Sequence, residues 1–309
     1  METNPLAARS LPSDTRQVPM RGYLIVLGGT FIWALTGIVI KILLTTFALE
    51  PLAIAFWRVS IVTVFLFLAL AVLDRRHLAI SPRDIVVFAF YGLVGVAIHQ
   101  VVWIASVQNN GAAVATVLIY ISPAFVSIFA WRFLDEKIDR QKIMALILTI
   151  VGCIFVARAY DLSQVQLNPV GLAAGIGSGM TLGTYTIMGR IVTRRYSAWT
   201  SLFYAFLFGT LFLLPLGLFT RHLVPLGIAW DGWAVLVFLA LGPTLGGFGA
   251  YTVGLSHLPA SVAGILAAFE PVTTAIVAFF VFGEVLDTPQ LFGAALILWG
   301  VITLRPRKG

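Results

Sequence analysis

The chain has 309 residues and a mass of 33.5 kDa; it is 60% hydrophobic, only 11% charged, and has a mean hydropathy of +0.98. A soluble domain carries about 25% charged residues, so this composition excludes a soluble enzyme or binding module and identifies a membrane protein. The net charge of +7 would suit nucleic acid in a soluble chain. In a membrane chain its placement sets topology instead, and no nucleic-acid partner is expected.

Residues 1–21 hold three prolines and mixed charge and read as a disordered cytoplasmic tail. No apolar core with a small-residue cleavage site precedes the first span, so a cleaved signal peptide is not expected. Ten apolar runs follow, near 22–45, 51–73, 85–106, 112–131, 142–158, 169–188, 199–219, 233–255, 260–282 and 288–304. Most approach the roughly 20 residues a spanning helix needs and are about twice the length of a barrel strand, without strict alternation. The expected fold class is therefore all-α, with ten transmembrane helices. Cys153 stands alone in an apolar stretch, which rules out an intrachain disulfide or a cysteine metal cluster.

Lys and Arg segregate by connection. Arg9, Arg16, Arg21, Arg75, Arg76, Arg83, Arg132, Lys137, Arg140, Lys142, Arg190, Arg194, Arg195, Arg305, Arg307 and Lys308 fall on one side, sixteen of the twenty. Arg158 and Arg221 fall on the other, and Lys41 and Arg58 lie within spans. Cytoplasmic connections carry this excess, so both termini are placed inside, in a bacterial inner membrane.

Sliding the chain against itself by 148 residues sets Ala112 on Ala260, Pro123 on Pro271, Glu136 on Glu284, Asp139 on Asp287 and Gly152 on Gly300. A shared proline, two acids and a glycine in one frame mark a duplication. Each half holds five spans, an odd number, so the halves face opposite ways: two inverted five-helix repeats (5+5), with Glu136 cytoplasmic and Glu284 external. The expected organisation is a first repeat over 22–160, an external linker over 161–168, a second repeat over 169–305 and a short tail over 306–309. Inverted repeats about an axis in the membrane plane are a carrier architecture, because exchanging the conformations of the halves moves an opening from one face to the other.

The segment FEPVTTAIVAFFVFGEVLDTPQLFGAALILWGVI and its partner ISPAFVSIFAWRFLDEKIDRQKIMALILTIVGCIFV resemble the closing segments of EamA domains. FIWALTGIVIK likewise resembles that family's first helix. This likeness to the drug/metabolite transporter (DMT) superfamily covers residues 22–305. It implies ten helices, a central cavity shared by the halves, and export of small organic solutes such as amino acids. Uptake or exchange of nucleosides, sugars or organic acids is the alternative. Proton coupling occurs in parts of the superfamily.

Pro123, Pro243 and Pro271 each fall about 15–17 Å into their spans, where interrupted backbone must face protein or a wet cavity; they are the expected helix-break and gating positions. Glu270 precedes Pro271 and is the one carboxylate near the midplane, where a charge is costly. Three roles fit it: a partner for a substrate ammonium, a proton carrier, or a cap for backbone freed by Pro271. Arg58, about 10 Å from the external end of its span, either binds a carboxylate bidentately or snorkels to the interface.

Tyr91, Gly95, His99 and Trp103 share one helical stripe, as do Trp33, Gly37 and Lys41, and the repeat frame sets Tyr251 opposite Trp103. Trp33, His99, Trp103, Tyr120, Tyr185 and Tyr251, with Arg58 and Glu270, form the expected substrate-binding set. The competing reading of the rings is ordinary packing or an interface belt. Glycines 175, 177, 179 and 183 and glycines 242, 246, 247 and 249 mark close helix approach.

No phosphate loop, dinucleotide fingerprint or metal-hydrolase motif occurs, so no cofactor, metal or catalytic residue is expected, and energy comes from gradients. Ser256 and His257 adjoin, but neighbours on a helix point about 100° apart, which argues against a nucleophile and base. A channel needs a continuous polar pore, which these spans do not supply. The expected partners are a small-molecule substrate, membrane lipid and, as a coupling ion, protons.

Overall fold

In hydrocarbon an unpaired backbone N–H or C=O costs several kcal/mol, so long apolar runs close their hydrogen bonds internally as helices. A computed structural model, which describes residues 20–161, 168–220, 230–283 and 285–304, has this form, with no strand among the described residues. In chain order the helices are α1 Met20–Thr45, α2 Pro51–Leu73, α3 Ile85–Gly92, α4 His99–Ile119, α5 Ser122–Leu134, α6 Arg140–Val156 and α7 Pro169–Val192. They continue as α8 Ala198–Thr220, α9 Trp230–Leu239, α10 Leu245–Leu255, α11 Ala260–Ala267, α12 Glu270–Phe282 and α13 Thr288–Thr303. Expectations for the tail up to residue 19, Arg221, linker residues 162–167, Glu284 and residues 305–309 fall outside the described residues.

Seven helical segments among the described residues are long and apolar enough to cross a membrane: 20–45, 51–73, 82–111, 114–134, 198–220, 230–255 and 260–281. α6 and α13 are shorter, at 17 and 16 residues, and α7 has 24 residues but is rich in glycine and threonine.

Several segments are interrupted, three of them at or beside the prolines expected to break them, Pro123, Pro243 and Pro271. The third is opened by a π-helical turn at Leu93–Ile98, and the eighth by another at Ala240–Thr244 that contains Pro243. Such turns replace i→i−4 bonds with longer ones and often mark functional sites. The expected turn between the third and fourth spans falls at Gly111, whose backbone at φ 78° and ψ 165° is not helical and suits glycine, so two helices meet there at a sharp kink. The fourth segment then breaks at Tyr120–Ile121 and the ninth at Ala268–Phe269, placing Pro123 and Pro271 at the second position of the helices that follow. Proline is tolerated there because the first-turn N–H has no helical partner.

The 148-residue frame reappears in detail. α5 and α12 begin at Ser122 and Glu270, and their C-caps, Asp135 and Gly283, both take left-handed backbone, φ 57° and 69°. Asp139 and Asp287 each cap the next helix, accepting from the backbone N–H three residues on, at Lys142 and Gln290. Helix contacts exchange in the same way: α4 packs on α7 as α1 packs on α10, α1 meets α12 as α7 meets α5, and α6 and α13 pair with each other, as do α2 and α8. The α6–α13 contact depends on missing side chains. A Cβ on Gly152 would lie 2.6 Å from the Gly293 carbonyl, and one on Gly300 would lie 2.9 Å from the Ala145 carbonyl.

Candidate functional site

The helix breaks surround a cavity of about 740 Å³. Its walls are Trp33, Thr36, Gly37 and Ile40 of α1, Arg58 of α2, His99, Gln100 and Trp103 of α4, Tyr120 at the first break, and Glu270, Pro271 and Thr274 of α12. Arg158, Val285 and Gln290 bound its mouth. Exposed apolar side chains on the outer faces, such as Phe67, Leu68 and Val72 of α2, present a surface suited to lipid.

Besides Arg158 at the mouth, the side chains of Arg58 and Glu270, from different helices, face this space. Glu270 opens α12, where the helix dipole favours an anion, and its Oε2 accepts a hydrogen bond from the Tyr120 hydroxyl at 2.9 Å. The two breaks are thereby joined, since Tyr120 ends one interrupted span and Glu270 resumes the other. The Glu270 carbonyl accepts from Thr273 Oγ1 at 2.8 Å, a backbone bond inside α12. Arg58 is 7% exposed, and its Nε is buried with no hydrogen-bond partner among the described residues. A buried donor without an acceptor costs about 1–3 kcal/mol, more when charged. His99 Nδ1 lies 3.2 Å from the Ser178 carbonyl and 3.1 Å from Thr181 Oγ1. A carbonyl only accepts, so the neutral ring carries its proton on Nδ1 and leaves Nε2 as an acceptor.

Beneath the cavity lies an aromatic floor. Trp33 packs on Phe248 with ring centroids 4.3 Å apart, Phe248 on Tyr185 at 5.3 Å, and Tyr185 on Tyr91 at 5.0 Å. Within this layer the buried Tyr185 hydroxyl meets Thr252 Oγ1 at 3.0 Å, and Tyr251, buried beside it, meets Thr186 Oγ1 at 2.9 Å. Farther from the mouth, the Glu136 carboxylate accepts from the backbone N–H groups of Ala260, at 2.6 Å, and Ser261, at 3.1 Å, and from the Ser261 hydroxyl. It is 4% exposed and has Lys142 Nζ at 3.8 Å. A residue from the α5–α6 connection thus caps α11. In sequence Glu136 is only the cytoplasmic repeat partner of Glu284; in the fold its buried carboxylate joins the halves.

At the mouth, Asp287 caps α13 in a reciprocal box with Gln290. It also accepts from the Tyr160 hydroxyl at 2.9 Å and lies 3.3 Å from Arg158 Nε. Donation by the Gln290 backbone N–H, then by Tyr160, and the Arg158 charge hold its carboxyl below the usual carboxylate range. Gln290 Nε2 donates to the Val156 carbonyl at 3.0 Å, tying the end of α6 to the start of α13.

Of the expected binding set, the cavity gathers Trp33, Arg58, His99, Trp103, Tyr120 and Glu270, with Pro271 beside them. Tyr185 and Tyr251 do not line it, and neither do Pro123 or Pro243. The 148-residue frame puts Tyr251 level with Trp103 but not on the same surface, because the halves are not in equivalent positions around an opening at one end. Gln100, Thr36, Thr274 and Gln290 were missed. Gln100 adjoins His99 and could have been found as a polar residue in an apolar run; the others carry no distinguishing pattern. Ser256 and His257 do touch, with Oγ and Nδ1 2.9 Å apart, but both also lie against the Val253 carbonyl, at 2.6 and 2.9 Å, at the end of α10. Helix-end bonding accounts for the pair.

The model of the EamA-like transporter family matches residues 20–158 and again 169–305. An uncharacterized transporter of Archaeoglobus fulgidus is 27% identical over 82% of this chain and 86% of its own length. The uncharacterized transporter YwfM of Bacillus subtilis is 27% identical over 92% of this chain and 94% of its own. The pseudopaline exporter CntI of Pseudomonas aeruginosa is 24% identical over 83% and 87%. A solved crystal structure shares the fold with a TM-score of 0.78 at 15% identity, over 94% of this chain and 99% of that one.

Proposed function

Because the chain belongs to the EamA-like transporter family, we propose that it is a secondary carrier, not an enzyme, that exports amino acids or similar small organic metabolites by alternating access. The observation that carries this reading is a cavity of about 740 Å³ that ends at an exposed mouth, near Arg158 and Val285, and at an aromatic floor on the other side. That volume is within the range of small-ligand sites, about 300–1,000 Å³.

Ten spanning helices in two inverted sets of five complete the reading. The repeated helix breaks, left-handed caps and aspartate caps support it, as does the exchange of contacts between halves. With the positive-inside charge bias, both termini are cytoplasmic and the cavity opens outward, with Glu136 sealing the inner side. Alternating access then needs the Glu136 bonds to α11 to open as the mouth closes. Trp33 and Trp103 hold the apolar body of the substrate, Arg58 binds its anionic group, and Glu270 binds an ammonium or carries a coupling proton. Pro123, Pro243 and Pro271 supply the flexible breaks. The name of the CntI relative favours export over uptake.

Flux from proteoliposomes loaded with labelled amino acids and other metabolites, with and without a pH gradient, tests this function. Saturable efflux of at least one solute is expected. Efflux that rises linearly without saturation would point to a channel, and the absence of flux for every solute would reject the carrier.

A further inference from the structure

A second, narrow cleft adjoins the central cavity beside Arg58. It is about 70 Å³, lies between α1, α2 and α4, and shares Ile40, Arg58, Gln100 and Trp103 with the larger space. Its lining is otherwise apolar apart from Gln108: Ile40 of α1, Ala55 of α2, and Trp103 and Val107 of α4 form its walls. Pro51, Ala55 and Arg58, at helical spacing, lie along one face of α2, so the cleft runs about 10 Å from the level of Arg58 to the start of that helix. At its deep end the guanidinium Nε is buried and without an acceptor among the described residues, and Arg58 is 93% buried, being 7% exposed.

The Arg58 side chain lines both spaces, so an oxyanion there would make a charge-assisted bond to its guanidinium, and a chain attached to that anion meets apolar walls in the cleft. We infer that this cleft is a binding subsite for the apolar chain of an organic carboxylate whose carboxyl group is held by Arg58. This deepens the carrier reading and rests on it: the substrate class becomes amphipathic carboxylates, selected by the length and width of one apolar arm. The cavity holds the remainder of the molecule, with Trp103 forming wall on both sides.

The test uses the full chain in lipid nanodiscs and calorimetric titration with straight-chain carboxylates from acetate to octanoate. Alkan-1-ols of equal length report simple partitioning. Affinity for the acids should rise about fourfold per methylene, from about 0.8 kcal/mol per buried CH2, until the cleft is filled, with the alcohols much weaker. Ala55→Phe should flatten this rise while acetate binding persists, and Val107→Ala should shift the optimum to longer or branched acids. Arg58→Gln should abolish the difference between acid and alcohol. A flat chain-length profile in the unmodified protein, acids no better than alcohols, or a profile unchanged in both cleft variants would overturn the subsite. Chain-length-dependent binding without flux of any solute would instead reject the carrier reading and leave the subsite standing.

Discussion

Glu270 and Tyr120 form a hydrogen bond that joins the two helix breaks across the cavity, so the consequences of altering either are distinct. If Glu270 carries the coupling proton, Glu270→Gln abolishes flux driven by a pH gradient but preserves exchange of labelled for unlabelled substrate. Proteoliposome assays under both regimes check this, and gradient-driven flux that survives with its pH dependence intact rejects the proton role. The aromatic residues separate equally well. Trp103 lines the cavity, whereas Tyr251 lies behind it on Thr186. Trp103→Ala should weaken substrate binding about tenfold, from the roughly 1 kcal/mol of an aromatic contact and the apolar area lost with it. Tyr251→Phe should leave affinity unchanged and lower stability by about 1 kcal/mol through the lost hydrogen bond. Equal affinity losses in the two would place Tyr251 on the substrate path.

At the scale of elements, the start of α11 is satisfied by Glu136 from another helix pair. Glu136→Ala leaves two buried N–H groups and the Ser261 hydroxyl without this acceptor and removes one partner of Lys142. A loss of about 3 kcal/mol is expected, since removing one member of a buried charged network leaves the other desolvated. Thermal unfolding in detergent measures it, and a cysteine at position 261 should become more reactive toward a soluble maleimide in that background. At the mouth, Asp287 carries a pH dependence of known sign. Its carboxyl is held below the usual range in the folded chain, so its contribution to stability is complete above the ordinary aspartate value of about 3.9. That contribution is lost as pH falls through the lower folded value. The stability difference between the native chain and Asp287→Ala should therefore be constant near neutrality and vanish in strong acid. Asp287→Asn, which keeps the capping oxygen, should show little of this titration.

For the whole molecule, mirror orientation of the halves requires the exposed repeat partners Lys137 and Val285 to face opposite compartments. With Cys153 replaced, single cysteines at these positions, tested with a membrane-impermeant maleimide on right-side-out and inverted vesicles, should each react from one face only and from different faces. Reactivity of both from the same face would remove the inverted arrangement and the carrier mechanism built on it. Much of this organisation was already legible in the chain. The helical class followed from hydropathy because lipid leaves the backbone no other way to satisfy its polar groups. The 148-residue frame located Pro123 with Pro271 and Asp139 with Asp287, because the residues that start, cap and interrupt helices act locally and survive as letters. Glu136 was legible as a repeated acid but not as a cap for α11, since its partners are more than 120 residues away. The π-turn at Leu93–Ile98 escaped notice, because nothing in apolar residues distinguishes an i→i−5 bond from an i→i−4 bond, whereas the one at Ala240–Thr244 contains Pro243, a position already read as a break.

Local chemistry alone therefore determined the membrane class, the helical elements, the repeat and the two unusual charges, Arg58 and Glu270, since each depends on transfer free energy or on a few neighbouring residues. Packing in three dimensions decided which faces meet. It put Tyr120 on Glu270, withdrew Tyr185 and Tyr251 from the cavity, and opened an apolar cleft beside Arg58. Side-chain direction about a helix is set by the contacts of distant segments, and a one-dimensional pattern cannot state which of two apolar faces will be covered.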